Sequence, residues 1–400
     1  MLDVAVIGCG IVGANVAYLL SQHKLRAAVF EKENDVSMGT TRANSAIVHA
    51  GYDPEPGTAM ARLNVRGSAL TKEQCAAFDV KYRQIGSLVL AFSDEEMATV
   101  RRLYENGVAN GVPGVRVLTR EETLAMEPNL SDAVCGALYA PSAAIVEPWD
   151  LALALAEAAV ENGVELHLET AVTGAEKISG GWRLHTAKGD FEARAVVNAA
   201  GVEADLVAAM AGEPGFTTIP SRGEYYLLDK SQGYVVNHVV FQCPNRDGKG
   251  VLVSPTVHYN LIVGPNAEPS GREDVSTQAD ALAFVREKAV KSVPGVNFRD
   301  NIRNFAGVRA NTDQSDFIIG ETAPGFITLG GIKSPGLSSA PAIAEDALAL
   351  VAGAGVTLEK KESFVHTRTK KRFNEMTPQQ KAEAIRENPL YGRVICRCET

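Results

Sequence analysis

Three glycines near the start, Gly8, Gly10 and Gly13, stand in the spacing Gly-x-Gly-x-x-Gly, and Glu31 follows eighteen residues after the last of them. Residues of these types at this spacing serve to hold a pyrophosphate and its ribose. Gly8 allows a sharp turn, Gly10 lets the backbone approach the phosphates, and Gly13 lets a helix lie close to the strand before it. The helix N-terminus then offers free N–H groups and about half a positive charge. The Glu31 carboxylate can accept both ribose hydroxyls. The elements that must position these residues flank them. Asp3-Val4-Ala5-Val6-Ile7 is an apolar run that leads into the first glycine. Val12, Val16, Leu19 and Leu20 recur as one helical stripe, and the run Ala27–Phe30 ends on Glu31. Strand, glycine turn, helix, strand and terminal acid together form the unit that holds the ADP half of a dinucleotide.

Bulk properties set the class. The chain has 400 residues, of which 46% are hydrophobic, so a large core is available and a disordered chain is excluded. A net charge of −9 and a pI near 5.4 disfavour a nucleic-acid partner. No apolar run approaches the ~20 residues needed to span a bilayer, and the start lacks a basic n-region. The expectation is a cytoplasmic protein, with attachment at the inner face of the membrane left open. Of the six cysteines, Cys75, Cys135 and Cys243 are isolated and expected to be buried small apolar residues.

Further along, the segment 38–51 is small, polar and glycine-bearing, which predicts a loop rich in hydrogen-bonding groups. Arg62 to Phe78 has helical spacing and Ser87 to Phe92 that of a strand. Ser93 opens a helix with a capping box, and Thr119 opens a short one that stops before Pro128. Trp149 to Glu161 reads as a helix, and 164–168, 171–178 and 182–186 as strands. The run 195–201 is a buried strand ending in a small-residue turn. From Arg222 to Gly264 alternation predicts antiparallel strands. Phe326 to Leu329 is a strand that enters a Gly330-Gly331 turn and a last helix through Leu350. The charge-dense 359–372 reads as a linker, and Thr377 caps a short helix ending before Pro389.

Taken together these residues resemble the D-amino-acid-oxidase-type FAD-dependent oxidoreductases over roughly residues 1–355. Ala43 to Gly51 with Pro56-Gly57, Arg222-Gly223-Glu224-Tyr225, Val263-Gly264-Pro265-Asn266 and Ala306-Gly307-Val308-Arg309 look like L-2-hydroxyglutarate dehydrogenases. Gly330-Gly331 with Lys333, and Cys396-Arg397-Cys398, look more like the large subunit of anaerobic glycerol-3-phosphate dehydrogenase. The resemblance implies an α/β (α+β overall) fold, a Rossmann-like FAD-binding domain with an interleaved antiparallel β-sheet substrate domain. It places 1–47, 145–220 and 300–355 in the first and 48–144 and 221–299 in the second. Residues 356–400 would be a linker and the start of a truncated BFD-like 2Fe-2S region. A cluster needs four thiolates, and Cys396 and Cys398 supply two, so neither a cluster nor any other metal is expected.

Carried over by position, Gly8, Gly10, Ile11, Val12, Gly13, Glu31 and Lys32 would hold the ADP moiety. Thr40, Thr41, Arg42, Asn44 and Ser45 would line the pyrophosphate and flavin. Val172 would contact adenine through its backbone, and Ala200 and Gly201 would pass under the ribityl chain. Gly331, Ile332, Lys333, Gly336 and Leu337 would close on the flavin pyrimidine edge. The expected reaction is oxidation of a small anionic 2-hydroxy substrate, of the glycerol-3-phosphate or L-2-hydroxyglutarate type, by hydride transfer to flavin N5. Arg309 is the candidate for the anion, because a guanidinium fork meets carboxylate or phosphate bidentately. His49 is a candidate base, or a ring packed in the flavin wall. Lys333 would bind the anion or tune the flavin, and Arg222 and Tyr225 would stand in the substrate wall. Alternatives are an amine or amino-acid oxidase of the sarcosine/glycine type, an NAD-dependent reductase and a non-catalytic flavin subunit. The electron acceptor is open among oxygen, a quinone and a partner subunit.

Overall fold

Period-two alternation and short buried runs build two large sheets. The computed structural model describes residues 1–244, 250–370 and 372–393, so Cys396 and Cys398 lie outside the described residues. Strand Leu2–Ile7 runs parallel to Ala27–Phe30 on one side and to Gly189–Asn198 on the other. Phe326–Gly330 adds beyond Gly189–Asn198, and Glu165–His167 beyond Ala27–Phe30, both in parallel. Such strands are covered on both faces, which is why they read as unbroken apolar runs. Val172–Ile178 and Gly181–Thr186 extend this sheet as an antiparallel ribbon.

One face is covered by three helices, Ile11–Ser21, Pro148–Glu161 and Gly336–Gly353, whose buried alanines, valines and leucines join the strands in one core. A fourth helix, Ala59–Ala77, crosses the last of these so closely that a side chain at Gly67 would press into the backbone of Ser338 and Ser339. It begins three residues before Arg62, because Thr58 caps it by accepting from the Ala61 N–H.

The second sheet is antiparallel except where Val239–Gln242 runs beside Ser87–Ala91. Alternation divides its two faces. Tyr226, Leu228, Leu261 and Val263 pack against Val285 and Ala289 of helix Ala279–Ser292. Tyr225, Leu252 and Ile262 face the other way, toward the first sheet, with Phe241 and Phe305. Strand Asn301–Arg309 pairs with Ser221–Leu228 along its length and so belongs to this sheet, although the sequence division places 300–355 with the cofactor domain.

Three local expectations are corrected. Ser93 does accept from the Glu96 N–H, but the Glu96 carboxylate takes the Phe92 N–H, so the reciprocal bond of a capping box is not to Ser93. At Thr119 both bonds form. Cys135 is exposed, whereas Cys75 and Cys243 are buried. The charge-dense tail is not a free linker. Arg368 and Lys370 both pair with buried Asp150, and Arg372 pairs with Asp79, so complementary charge docks it on the body. Among the described residues no helix is long and apolar enough to cross a membrane.

Candidate active site

Between the two sheets lies a cleft of about 1130 Å3. That exceeds the roughly 300–1,000 Å3 of ordinary small-molecule pockets and suits an extended ligand. At one end, helix Ile11–Ser21 starts from Gly10 with no side-chain cap and no acid in its first turn, so the protein does not neutralise its positive end. Thr41 Oγ1 accepts the Ile11 N–H at 2.9 Å. Gly8 has φ +95°, open to glycine at no steric cost. A Cβ on Gly13 would run into the Gly8 carbonyl, 2.9 Å from its carbon, so the helix can approach the turn only because Gly13 is bare.

Glu31 is buried at the end of its strand. One carboxylate oxygen accepts the Cys9 N–H at 2.7 Å and the other the Glu33 N–H at 3.0 Å. Those bonds fix its orientation and leave lone pairs for ribose hydroxyls. The Cys9 thiol is pushed far up by burial and by Glu31 and Asp35, so it stays a neutral packing group. Lys32 sits at the rim, 2.9 Å from Glu203 and 3.7 Å from Glu273. Burial opposes the charge on its ammonium, yet these acids raise its pKa. The loop 270–278 of the second sheet reaches across this end. Its Arg272 grips Asp205 through two bonds of 2.7 Å and also donates to the Val202 carbonyl. Val172, Ala200 and Gly201 line the same end.

The middle of the cleft is walled by the loop that follows Gly39. Asn44 donates to the Thr40 and Thr41 carbonyls and accepts the Ala46 N–H, which holds Ala46 at φ +58°. Thr40 donates to the Val308 carbonyl at 2.7 Å, and Gly307 lies bare against Ala43. The loop is thereby locked to the strand that carries Arg309. Arg42 lines the cleft and donates to Met38 Sδ at 3.4 Å. Ser45 Oγ is 3.2 Å from the hydroxyl of Tyr225, whose ring stacks on Phe305.

His49 is held on both sides of its backbone. Its N–H donates to Ser338 Oγ at 2.7 Å, and its carbonyl accepts from Asn64 at 2.8 Å. The ring stacks on Phe241 with centroids 5.7 Å apart, and Nε2 lies 3.4 Å from Ser334 Oγ. Ile332, Lys333, Gly336 and Leu337 line the facing wall, where helix Gly336–Gly353 points its N-terminus at the cleft. Lys333 Nζ donates to the Gln314 carbonyl at 3.0 Å.

Arg309 is half-buried in the cleft wall. Nη2 donates to the Asn266 carbonyl at 3.0 Å, and the guanidinium occupies the space that a side chain on Gly223 would need. Nη1 has no hydrogen-bond partner. A guanidinium in the wall of the cleft adds positive charge there and suits an anionic ligand.

Most of the residues singled out from the sequence thus meet in one cleft, and three do not line it. Gly13 supports the turn from behind. Gly331 packs against Thr312, adopting φ +64° to let the chain enter the wall. Arg222 is a correction, because it is buried and faces Glu224 and Asp274, with Ser276 as a third partner. Its neighbour in the chain, Gly223, is the residue beneath Arg309. Sequence reasoning missed Ser334, Phe241 and Asn266. Only Asn266 stood in a recognisable motif, and nothing local marks it as facing the cleft.

The cradle fits FAD on the chain's own terms: a helix N-terminus with no acid in its first turn, a buried acid for the ribose, a second helix N-terminus and room for an extended ligand. Comparisons with known proteins agree. Residues 3–350 match the model of the DAO family of FAD-dependent oxidoreductases. Over 404 residues the chain is 46% identical to a glycerol 3-phosphate dehydrogenase of Caloramator mitchellensis, spanning 100% of this chain and 84% of that one. It is 32% identical over 273 residues to L-2-hydroxyglutarate dehydrogenase of Escherichia coli, spanning 67% and 64% of the two chains. Among solved structures, FAD-bound L-alpha-glycerophosphate oxidase from Mycoplasma pneumoniae superposes with a TM-score of 0.87 at 31% identity, covering 92% of this chain and 98% of that one. The chain is a member of the DAO family of FAD-dependent oxidoreductases.

Proposed function

We propose that this enzyme oxidises the secondary hydroxyl of glycerol 3-phosphate. The observation that carries the reading is the 46% identity over the whole chain with a protein of that activity. The Arg309 guanidinium in the cleft wall supports an anionic substrate. Bound FAD supplies the ring that accepts a hydride from carbon. The chain's own residues do the rest. Arg309 holds the phosphate, with Lys333 on the facing wall adding positive charge. His49 Nε2 takes the hydroxyl proton, and Ser334 Oγ beside it steadies the ring. Loss of that proton and the hydride leaves the ketone. Tyr225, Phe241 and Leu252 keep water from the reacting carbon. Residues 1–47, 145–220 and 300–355 form the cofactor unit of this reading, except that strand Asn301–Arg309 completes the substrate sheet.

The test is anaerobic bleaching of the yellow protein by glycerol 3-phosphate, L-2-hydroxyglutarate, sarcosine and glycine in turn. Bleaching by glycerol 3-phosphate at the lowest concentration is expected. Bleaching by L-2-hydroxyglutarate alone would move the reading to a hydroxy acid, and bleaching by the amines alone would remove it. Mixing the reduced protein with oxygen and then with a soluble quinone identifies the electron acceptor.

A further inference from the structure

Strand Ser221–Leu228 points successive side chains to opposite faces. Arg222 and Glu224 pair with each other on one of them. Ser221, Gly223 and Tyr225 share the other, and Ser221 and Tyr225 both line the cleft. Across the ladder Ser221 stands opposite Arg309, Gly223 opposite Gly307 and Tyr225 opposite Phe305. The Arg309 side chain does not stay over its own partner. Its guanidinium fills the space above Gly223 and reaches the Asn266 carbonyl beyond. Ser221 and Tyr225 each lie two residues, about 6.8 Å, along the strand from Gly223, so they flank the guanidinium on either side. Tyr225 is engaged, with its ring on Phe305 and its hydroxyl 3.2 Å from Ser45 Oγ. Ser221 is engaged on one side only. Its Oγ accepts from Asn311 Nδ2 at 2.7 Å, and Asn311 is itself tied down, its carbonyl accepting the Ile219 N–H at 2.7 Å. A hydroxyl that accepts keeps its own proton to donate. With the amide turned round the hydroxyl would donate and the amide would keep its N–H groups, so the pair offers a donor either way. Both residues line the cleft, and Ser221 is partly exposed there.

We propose that Ser221 is a substrate-binding residue, its hydroxyl, held by Asn311, donating to the anionic group that Arg309 attracts. Arg309 supplies the charge, and Ser221 supplies a neutral, directed donor beside it. A carboxylate or a phosphate has oxygens enough for both. That the anion is a phosphate ester rests on the function proposed above. The place of Ser221 rests on the strand register and holds for a carboxylate equally. The contacts of Arg309 with Gly223 and the Asn266 carbonyl do not involve Ser221, so substitution at 221 tests the hydroxyl and not the guanidinium.

The experiment uses FAD-loaded protein and follows the rate of anaerobic flavin reduction against substrate concentration, which separates the substrate dissociation constant from the limiting rate. Glycerol 3-phosphate, L-2-hydroxyglutarate, sarcosine and glycine, anions all, are each tried. Ser221→Ala removes the hydroxyl, Ser221→Cys replaces it with a weak donor of similar volume, and Ser221→Thr keeps it. With the substrate that reduces wild type, the dissociation constant is expected to rise roughly tenfold in Ala and Cys. The limiting rate and the FAD content should hold, and Thr should restore binding to within about threefold of wild type. If Ser221→Ala loses FAD, Ser221→Cys takes the measurement. A dissociation constant unchanged in Ala and Cys, or raised equally in Thr, overturns the proposal. A tenfold rise measured with sarcosine, glycine or L-2-hydroxyglutarate, in an enzyme that glycerol 3-phosphate does not reduce, keeps Ser221 in the seat and removes the function proposed above. A wild type reduced by none of the four overturns both.

Discussion

Gly223 touches no substrate, yet the structure makes it the floor on which Arg309 rests. It lies on strand Ser221–Leu228 opposite Gly307, in ordinary strand conformation. A Cβ built there would lie 2.8 Å from Arg309 Cζ and 2.9 Å from Pro265 Cβ, and closer still to Nη2. Ordinary contact begins near 3.4 Å, so the guanidinium must lift by about 1 Å. That lift breaks the 3.0 Å bond from Nη2 to the Asn266 carbonyl. Misplacing a substrate-positioning group by that much costs roughly a hundredfold, about 2.7 kcal/mol of transition-state stabilisation. The clash falls mainly on the end of a flexible side chain, so global stability should change by only about 1 kcal/mol. The glycine turn and Glu31 are untouched, and FAD should stay bound. Gly223→Ala is therefore expected to keep its flavin spectrum and nearly its Tm while kcat/KM for glycerol 3-phosphate falls by about two orders of magnitude. Steady-state kinetics beside a thermal melt measure both. A Gly223→Ala enzyme with wild-type kcat/KM would refute the placement of Arg309 at the substrate. A loss of FAD or of fold in proportion to activity would refute the argument that the strain is local.

At the other end of the cleft, Gly13→Ala must push helix Ile11–Ser21 off the Gly8 carbonyl. FAD affinity measured by fluorescence titration should drop at least tenfold, at about 1–3 kcal/mol of overpacking, and unchanged affinity would refute the close approach. Arg272→Ala tests the loop that crosses the ADP end. Burial would push the Asp205 carboxyl up, but the Arg272 guanidinium and the Thr218 N–H outweigh it and hold it at about 2. A depressed carboxyl stabilises the fold above its unfolded value near ~4 and yields that stability as pH falls through about 2. The variant should melt lower than wild type at neutral pH and release FAD faster, with the gap in Tm closing between about pH 4 and pH 2. A gap independent of pH would show that the ion pair contributes nothing.

The ADP end was legible in the sequence because its signals are local. Glycine spacing, one helical stripe and an acid at a fixed distance all lie within thirty-one residues, and the structure assembles them in register. Arg309 and His49 were legible as types of side chain rather than as neighbours. What could not be read is whatever two distant segments make together. Ser334 matters through its 3.4 Å approach to His49, 285 residues away in the chain. Asn266 owes its place to an N–H on a neighbouring strand. Arg222 was misjudged for the same reason, since its acids sit two and fifty-two residues on and no periodicity ties it to Asp274. The tail was read as a linker because charge density usually means solvation, and Asp150 and Asp79, which attract it, lie more than two hundred residues upstream.

The cleft draws its walls from stretches as far apart as Gly8, Val172 and Leu337. A growing chain leaving the ribosome therefore carries the glycine turn long before the opposite wall exists, and the nucleotide can be captured in full only after Leu337 has emerged. In a cell well supplied with flavin, a hundredfold excess of FAD over its dissociation constant adds about 2.7 kcal/mol to the finished fold. Apoprotein lacks that increment and should be cleared faster than protein that holds FAD.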